Sequence, residues 1–172
     1  MAPTETIAVI GAGASGLVTA KYCLEAGFDV VVFEASERIG GVFGLQAGYD
    51  DGALVSSKFL TAFSDFRHGP SDPIHLSFTQ YEAYLGEYAA AFGVTPRIRF
   101  GTRVVRVARA GEHAYDVTAR APDGGGGAGA LATERFSAVA VCSGAHNVPL
   151  VPSASLAGFA GEVLHSSSYK AK

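Results

Sequence analysis

Three glycines near the start of the chain are spaced to hold a phosphate-bearing ligand. Gly11, Gly13 and Gly16 form the pattern GxGxxG, directly after the apolar run 7–10 and directly before an amphipathic segment at 17–26. In a strand–turn–helix unit, the first glycine permits a tight turn and the second lets the backbone approach a pyrophosphate. The third lets the helix pack closely on the strand. The helix N-terminus then offers backbone N–H groups and a partial positive charge to the phosphates.

An acidic residue at the expected distance strengthens this pattern. The apolar run 30–33 ends at Glu34, about 20 residues beyond the glycines, where a carboxylate can accept hydrogen bonds from ribose hydroxyls. Gly27 stands where the intervening helix should end. These features predict a dinucleotide site, and the alternative is a βαβ unit that binds nothing.

A further glycine motif, made of two adjacent glycines, follows Glu34. Arg38 can approach a phosphate, and Gly40 and Gly41 let the backbone lie against a second phosphate or a flat ring. This extension favours FAD over NAD, because the flavin continues beyond the first phosphates. An ordinary glycine loop is the alternative.

The pattern of apolar residues predicts the elements that position these groups. Buried parallel strands are expected at 7–10, 30–33 and 138–141, and a helix that opens at Ser77 and stops at Gly93 carries an aromatic stripe suited to core packing. Extended runs at 98–100, 103–108, 115–119 and 135–141 predict a small antiparallel meander that returns to the main sheet. Residues 123–130, rich in glycine, are expected to form a hairpin tip without chemistry.

Composition narrows the class of protein. The 172 residues suit one domain with a sizeable core, 48% being hydrophobic and 17% charged, and the net charge of -3 does not favour nucleic acid or an anionic membrane as a partner. Cys23 and Cys142 are expected to be buried reduced thiols. The histidines show no metal-ligand spacing, so no metal site is expected. Because no leader or membrane span is evident, we expect a cytoplasmic protein.

Five motifs in order give the chain a family resemblance. They are GAGASG at 11–16 with Glu34, ERIGG at 37–41, SSKFLTAFSDF at 56–66, VCSGAHNVPLVP at 141–152, and FxGxxxHxxxY at 159–169. Throughout its length the chain resembles the N-terminal part of the flavin-containing monooxygenases. The last string is the identifying sequence of that family and has a relative in the Baeyer–Villiger monooxygenases. Other flavoproteins would share only the first two motifs.

The resemblance implies a Rossmann-like FAD/NAD(P)-binding fold and a set of site residues. Those expected to hold FAD are Gly11, Gly13, Ala14, Ser15 and Gly16 at the pyrophosphate, Glu34 and Ala35 at the ribose, Arg38, Gly40, Gly41 and Val42 towards the flavin, Val104 at the adenine, and Ser143 and Gly144 alongside.

The same resemblance places further residues near the chemistry. Ser56, Ser57 and Lys58 are the candidate catalytic residues beside the flavin ring, and Val55 stands where the family often has an asparagine. The family string contributes Phe159, Gly161, His165 and Tyr169, with His165 expected to position a linker and proton transfer as the alternative role.

The implied enzyme uses NADPH to reduce FAD, and O2 then forms a C4a-hydroperoxyflavin that oxygenates a soft nucleophile such as an amine or sulfide. Residues 1–172 are expected to be the N-terminal portion of the FAD-binding domain, with the meander at about 98–137 and without the NADPH domain and the closing C-terminal segment. The isolated chain is then expected to be inactive, and a downstream segment or a second polypeptide would carry the NADPH site. The alternatives are a non-catalytic or split nucleotide-binding module and an FAD-dependent oxidase.

Overall fold

Two sheets share one layer of core residues in the computed structural model. The structure describes residues 5–44, 52–121, 129–145, 149–150 and 158–169. A parallel sheet has the order β3 (Ile98–Arg99), β2 (Asp29–Phe33), β1 (Thr6–Ile10), β7 (Ala138–Val141), and a separate antiparallel sheet has the order β4 (Arg103–Gly111), β5 (Ala114–Arg120), β6 (Leu131–Phe136). The predicted α/β architecture with an antiparallel meander is therefore confirmed.

Three strands of the parallel sheet form where the sequence predicts buried strands, at 7–10, 30–33 and 138–141. These strands are β1, β2 and β7, and the fourth is β3. In β1, Val9 faces a core shared with the helices and Ala8 faces a second core beneath the meander, and both are fully buried. Burial on both faces explains why β1 and β2 contain continuous apolar runs.

The helix α1 (Ala14–Glu25) follows the glycine turn directly. It begins three residues before the predicted start at Leu17, because the first intrahelical hydrogen bond runs from Leu17 N to Gly13 O at 3.0 Å. Gly27 adopts φ +88°, which accounts for the end of the helix.

The helix α3 (Phe78–Ala91) confirms the prediction for this segment. Ser77 and Gln80 form a reciprocal capping box at its start, and Gly93 lies beyond its end with φ +67°. Its aromatic stripe is core, as predicted, because Tyr81, Tyr84 and Tyr88 are at most 5% exposed. A single turn, α2 (Lys58–Thr61), precedes it.

The meander consists of β4 (Arg103–Gly111), β5 (Ala114–Arg120) and β6 (Leu131–Phe136). Its inner face packs Val117, Ala119 and Phe136 against Ala8 and Phe33 of the parallel sheet.

Two predicted boundaries were wrong. The run from Ile98 pairs in parallel with β2 through Val32 and Phe33, so the meander starts at Arg103 and not near residue 98. The run 135–141 is two strands, because the chain leaves the meander after Phe136 and Ser137 N donates to Thr6 O at 3.0 Å as β7 begins. Most of the predicted hairpin tip lies outside the described residues.

Within the described ranges, no helix has the length and apolar character needed to cross a membrane.

Candidate functional site

The first glycine turn is shaped by backbone contacts on two sides. Gly11 has φ +104°, and a Cβ on it would lie 2.6 Å from the carbonyl oxygen of Cys142. A Cβ on Gly16 would lie 1.8 Å from the carbonyl oxygen of Gly11. The close helix–strand packing predicted for Gly16 is therefore seen directly. The contact of Gly11 with Cys142 was not predicted, although the small residues after β7 were a signal for it.

The glycine pair at 40–41 packs against the glycine turn at 11–16. Gly40 N donates to Ala12 O at 3.2 Å, and a Cβ on Gly41 would lie 3.3 Å from Gly13 Cα. Gly40 and Gly41 both have positive φ, at 132° and 59°. The two motifs, separated by more than twenty residues in the sequence, thus form one cradle made of backbone.

The cradle lies at the N-terminus of α1. Because Leu17 donates the first intrahelical hydrogen bond, the N–H groups of Ala14, Ser15 and Gly16 precede the helix ladder. The N-cap residue is Gly13, which has no side chain to satisfy them. Backbone donors, the positive end of the helix dipole and space without side chains fit the pyrophosphate of a dinucleotide.

Glu34 is held rigidly beside this cradle. Its side chain accepts from Ala12 N at 2.7 Å through Oε2, and from Ser36 N and Ser36 Oγ, both at 2.8 Å, through Oε1. The residue is 9% exposed. A carboxylate has about four lone-pair sites, so acceptor capacity remains for a ribose hydroxyl. The role of Ser36 was missed, and its place two residues after the acid was the available signal.

Backbone hydrogen bonds bring the start of the meander to the same place. Glu34 O accepts from Thr102 N at 2.8 Å, and Ser36 O accepts from Gly101 N at 2.9 Å. Val104 follows two residues later and packs into the core beneath the meander. The structure therefore brings the strand of Val104 beside Glu34, while its contact with an adenine stays a prediction.

The end of β7 lines the other side of the glycine turn. Cys142 N donates to Ile10 O at 2.9 Å, and a Cβ on Gly11 would lie 3.4 Å from Ser143 Cα. Gly144 has φ +82°. Residues 146–148 and 151–157, which carry much of the motif predicted here, lie outside the described residues.

Arg38 makes an ion pair that the sequence did not predict. Its Nε donates to Glu82 Oε1 of α3 at 2.6 Å, and the side chain is 47% exposed. The pair fastens the glycine loop to the helix. Binding of a phosphate by Arg38 stays a prediction, as do the cofactor contacts of its neighbours Ala35 and Val42, both of which are exposed.

The three candidate catalytic residues lie on a segment with its own hydrogen bonds. The amino group of Lys58 is buried and donates to the carbonyl oxygens of Gly69, Pro70 and Asp72 at 2.8, 3.2 and 2.6 Å. Ser57 stands at the N-cap position of α2, where its backbone carbonyl accepts from Leu60 N and Thr61 N, and Ser56 is half-buried next to it. An ammonium group has three N–H donors, and each has an acceptor here. This geometry favours a positioning role for Lys58, and direct chemistry by Ser56, Ser57 or Lys58 stays a prediction.

The string at 159–169 makes local contacts. A Cβ on Gly161 would lie 2.4 Å from the Phe159 ring, so the ring covers this glycine. His165 Nδ1 accepts from Ser167 N at 3.1 Å, and Tyr169 is 38% exposed. These contacts shape the segment, and the linker role of His165 stays a prediction.

Other titratable groups do not assemble into a metal site within the part of the chain that the structure describes. His68 stacks on Tyr84 with ring centroids 4.0 Å apart, and burial lowers its pKa below the ordinary value. Burial likewise raises the pKa of the Cys23 thiol, which suits an unreactive thiol.

The fold and the glycine cradle together define a dinucleotide-binding domain of the Rossmann type. A known protein family matches almost the whole chain. Residues 4–172 match the family described as "FMO-like: Flavin-binding monooxygenase-like", and the chain belongs to this family.

Individual relatives agree with that assignment. "Monooxygenase cfoE" of Aspergillus candidus is 44% identical over 173 residues, covering 96% of this chain and 29% of the relative. "Dimethylaniline monooxygenase [N-oxide-forming] 2" of Pan troglodytes is 33% identical over 177 residues, covering 96% of this chain and 33% of the relative. The solved S-allyl-L-cysteine S-oxygenase of Allium sativum has a TM-score of 0.70 and 26% identity, covering 82% of this chain and 36% of that one. The chain therefore spans about a third of the length of the curated relatives it matches.

Proposed function

We propose that these residues are the FAD-binding portion of an NADPH- and O2-dependent monooxygenase that oxygenates a soft nitrogen or sulfur nucleophile. The observation that carries the proposal is the backbone cradle in which Gly13 and Gly41 meet at the N-terminus of α1. Membership of the flavin-binding monooxygenase-like family supports FAD over other dinucleotides.

In this proposal the cradle binds and orients the cofactor. The N–H groups of Ala14, Ser15 and Gly16 donate to the pyrophosphate, and Glu34 accepts from the ribose. Glu34 is already fixed by Ala12 and Ser36, so little side-chain entropy is lost on binding. Ser143 and Gly144 contribute a flat backbone edge without bulky side chains.

FAD, reduced by NADPH, supplies the oxygen-activating chemistry. The part of this chain is to hold the turn of Ser56 and Ser57 in one conformation. Lys58 fastens that turn to the loop at 69–72 through its three carbonyl acceptors. The residue before Ser56 is Val55, which has no hydrogen-bonding side chain. Polar contacts from this turn are therefore left to Ser56 and Ser57.

The NADPH site and most of the substrate pocket are proposed to lie in protein outside these residues, since the relatives are about three times longer. Val55, Phe59 and Leu60 are 97%, 65% and 81% exposed. Adjacent apolar side chains so exposed are typical of a surface that other protein covers. The proposed class of substrate is taken from two relatives, an N-oxide-forming monooxygenase and an S-oxygenase.

The test uses the polypeptide that the complete gene encodes. We expect oxygen uptake that requires NADPH and rises with a tertiary amine or a thioether, and an N-oxide or S-oxide as the product. Gly13→Ala should abolish uptake and bound FAD together, whereas Gly86→Ala, a glycine exchange in α3 with open space around it, should leave both unchanged.

Two results would contradict the proposal in different ways. Hydrogen peroxide as the sole product would indicate an FAD oxidase. FAD binding without any NADPH-dependent uptake would indicate a non-catalytic module.

A further inference from the structure

The outward face of the meander gathers arginines from all three strands. Cross-strand register places Arg103 of β4 opposite Arg120 of β5, and Arg106 opposite Thr118, two residues along. Arg135 of β6 shares the face, because it pairs with Asp116. We call these four arginines the arginine face. The inner face of the same strands packs Val117, Ala119 and Phe136 on the parallel sheet, and Glu134 on this face pairs with Arg99 of β3.

Among the described residues, Arg103 and Arg120 make no ion pair, whereas Arg106 and Arg135 both interact with the Asp116 carboxylate. Arg135 donates to both carboxylate oxygens of Asp116 at 2.8 and 3.2 Å, and this pair lowers the pKa of the Asp116 carboxyl. Within the described residues, neither Arg103 nor Arg120 donates a hydrogen bond to an acidic side chain. The face therefore carries a net positive charge, although the chain as a whole has a net charge of -3.

The juxtaposition of Arg103 and Arg120 is unfavourable for folding alone. Like charges directly opposite each other on one face of a sheet destabilise the pair. Arginines on an edge strand can protect it from unwanted pairing, and β4 is an edge strand. Arg120, however, belongs to the central strand β5, where edge protection does not apply.

An apolar side chain lies next to the pair. Leu131 of β6 is directly opposite Arg120 and is 56% exposed. Arg103, Arg120 and Leu131 thus form a row across the sheet, with two guanidinium forks at one end and an apolar contact at the other. Guanidinium groups bind carboxylates in a bidentate manner, which gives such a row a defined complement.

We propose that the arginine face is a docking surface for an acidic segment of a partner protein, with carboxylates bound between Arg103 and Arg120. This goes beyond the proposed oxygenation, because the face lies on the side of the meander opposite to the one that packs on the parallel sheet. The partner carboxylates relieve the repulsion between the two arginines on binding.

The test is a titration of the full chain with a fluorescein-labelled decaglutamate peptide, followed by anisotropy at low salt. We expect saturable binding that Arg103→Gln/Arg120→Gln weakens at least tenfold. The matched control Arg67→Gln/Arg109→Gln removes the same charge from exposed arginines outside this face and should change the dissociation constant less than twofold. Arg103→Gln/Arg120→Gln should also melt no lower than the wild type, because it removes a repulsion.

Two outcomes overturn the proposal. Equal weakening by both double variants would show that only net charge matters. Tighter binding of a single-stranded oligothymidine than of the peptide, lost in Arg103→Gln/Arg120→Gln, would assign the face to nucleic acid instead.

Discussion

Gly13 and Gly16 are three residues apart, but a side chain on each would meet different surroundings. A Cβ on Gly16 would collide with the carbonyl of Gly11 at 1.8 Å, whereas a Cβ on Gly13 would meet Gly41 Cα at 3.6 Å, an ordinary contact. The fold therefore requires glycine at position 16, whereas position 13 would accept a methyl group without a clash within the chain.

Gly16→Ala is therefore expected to destabilise the chain by at least about 3 kcal/mol, since backbone must move to accommodate the methyl group. Gly86→Ala, in α3 with no atom within 4 Å of its Cβ, should stabilise by about 1 kcal/mol. Urea unfolding measures both changes. A wild-type midpoint for Gly16→Ala would contradict the structure of the turn.

Tyr88 offers a second test at the residue scale. Its ring is fully buried, burial raises its pKa to about 12, and its hydroxyl has no hydrogen-bond partner among the described residues. Tyr88→Phe should therefore raise the free energy of unfolding by about 1 kcal/mol.

Tyr84 provides the matched control, because its hydroxyl donates to Phe66 O and accepts from Phe63 N, both at 2.7 Å. Tyr84→Phe should lower the free energy of unfolding by about 1–2 kcal/mol. Equal effects of the two substitutions would refute this assignment.

At the scale of elements, the segment around α2 depends on one buried cation. The backbone N–H of Lys58 donates to Ile74 O at 2.7 Å, and that of Leu54 donates to Leu76 O at 2.8 Å. The side-chain amino group of Lys58 binds the loop at 69–72. The segment is thereby joined to the loop that leads into α3.

Lys58→Met should leave three carbonyl oxygens without their donor and destabilise the chain by about 2–3 kcal/mol. Hydrogen exchange should speed up at 54–61 and 69–74, with little change in β1 or α1. Retained FAD binding with faster exchange confined to these ranges is the signature of a positioning residue. Unchanged exchange there would contradict that role.

The elements also show which features the sequence could predict. Local spacing predicted the glycine turn, Glu34, the capped helix α3 and the return of the chain from the meander to the parallel sheet. Each of these features is encoded within a few neighbouring residues. The docking of Gly41 on Gly13, the Arg38–Glu82 pair and the carbonyl cage of Lys58 were not predicted. They join residues distant in the sequence, and periodicity carries no information about which of them meet.

At the scale of the whole molecule, an ion pair fastens α1 to the chain before α3. Lys21 is 4% exposed, and its amino group binds Asp65 Oδ2 at 2.5 Å and Glu25 Oε1 at 3.1 Å. The hydrogen bond that the Lys21 amino group donates to Asp65 lowers the pKa of Asp65 below its ordinary value of 3.8 and raises the pKa of Lys21.

Asp65→Asn should be less stable than the wild type at neutral pH. Because the folded-state pKa of Asp65 is lowered, the carboxylate stabilises the fold above its unfolded pKa and loses this effect as the pH falls through the folded value. The difference in stability should thus be constant from about pH 9 to about pH 5 and shrink below about pH 4. The exposed pair of Asp116 is the control, and Asp116→Asn should have little effect. A difference that grows with acid would contradict the assignment.

In the proposed function, the two glycine motifs of this chain form a cradle for FAD. The most direct measurement is the visible absorption spectrum of the purified chain after exposure to FAD and removal of the excess, with the released cofactor identified after denaturation. We predict flavin absorption from FAD in the wild type, and a folded but colourless Gly13→Ala. A folded, colourless wild type, or a Gly13→Ala that retains the full flavin spectrum, would contradict the account.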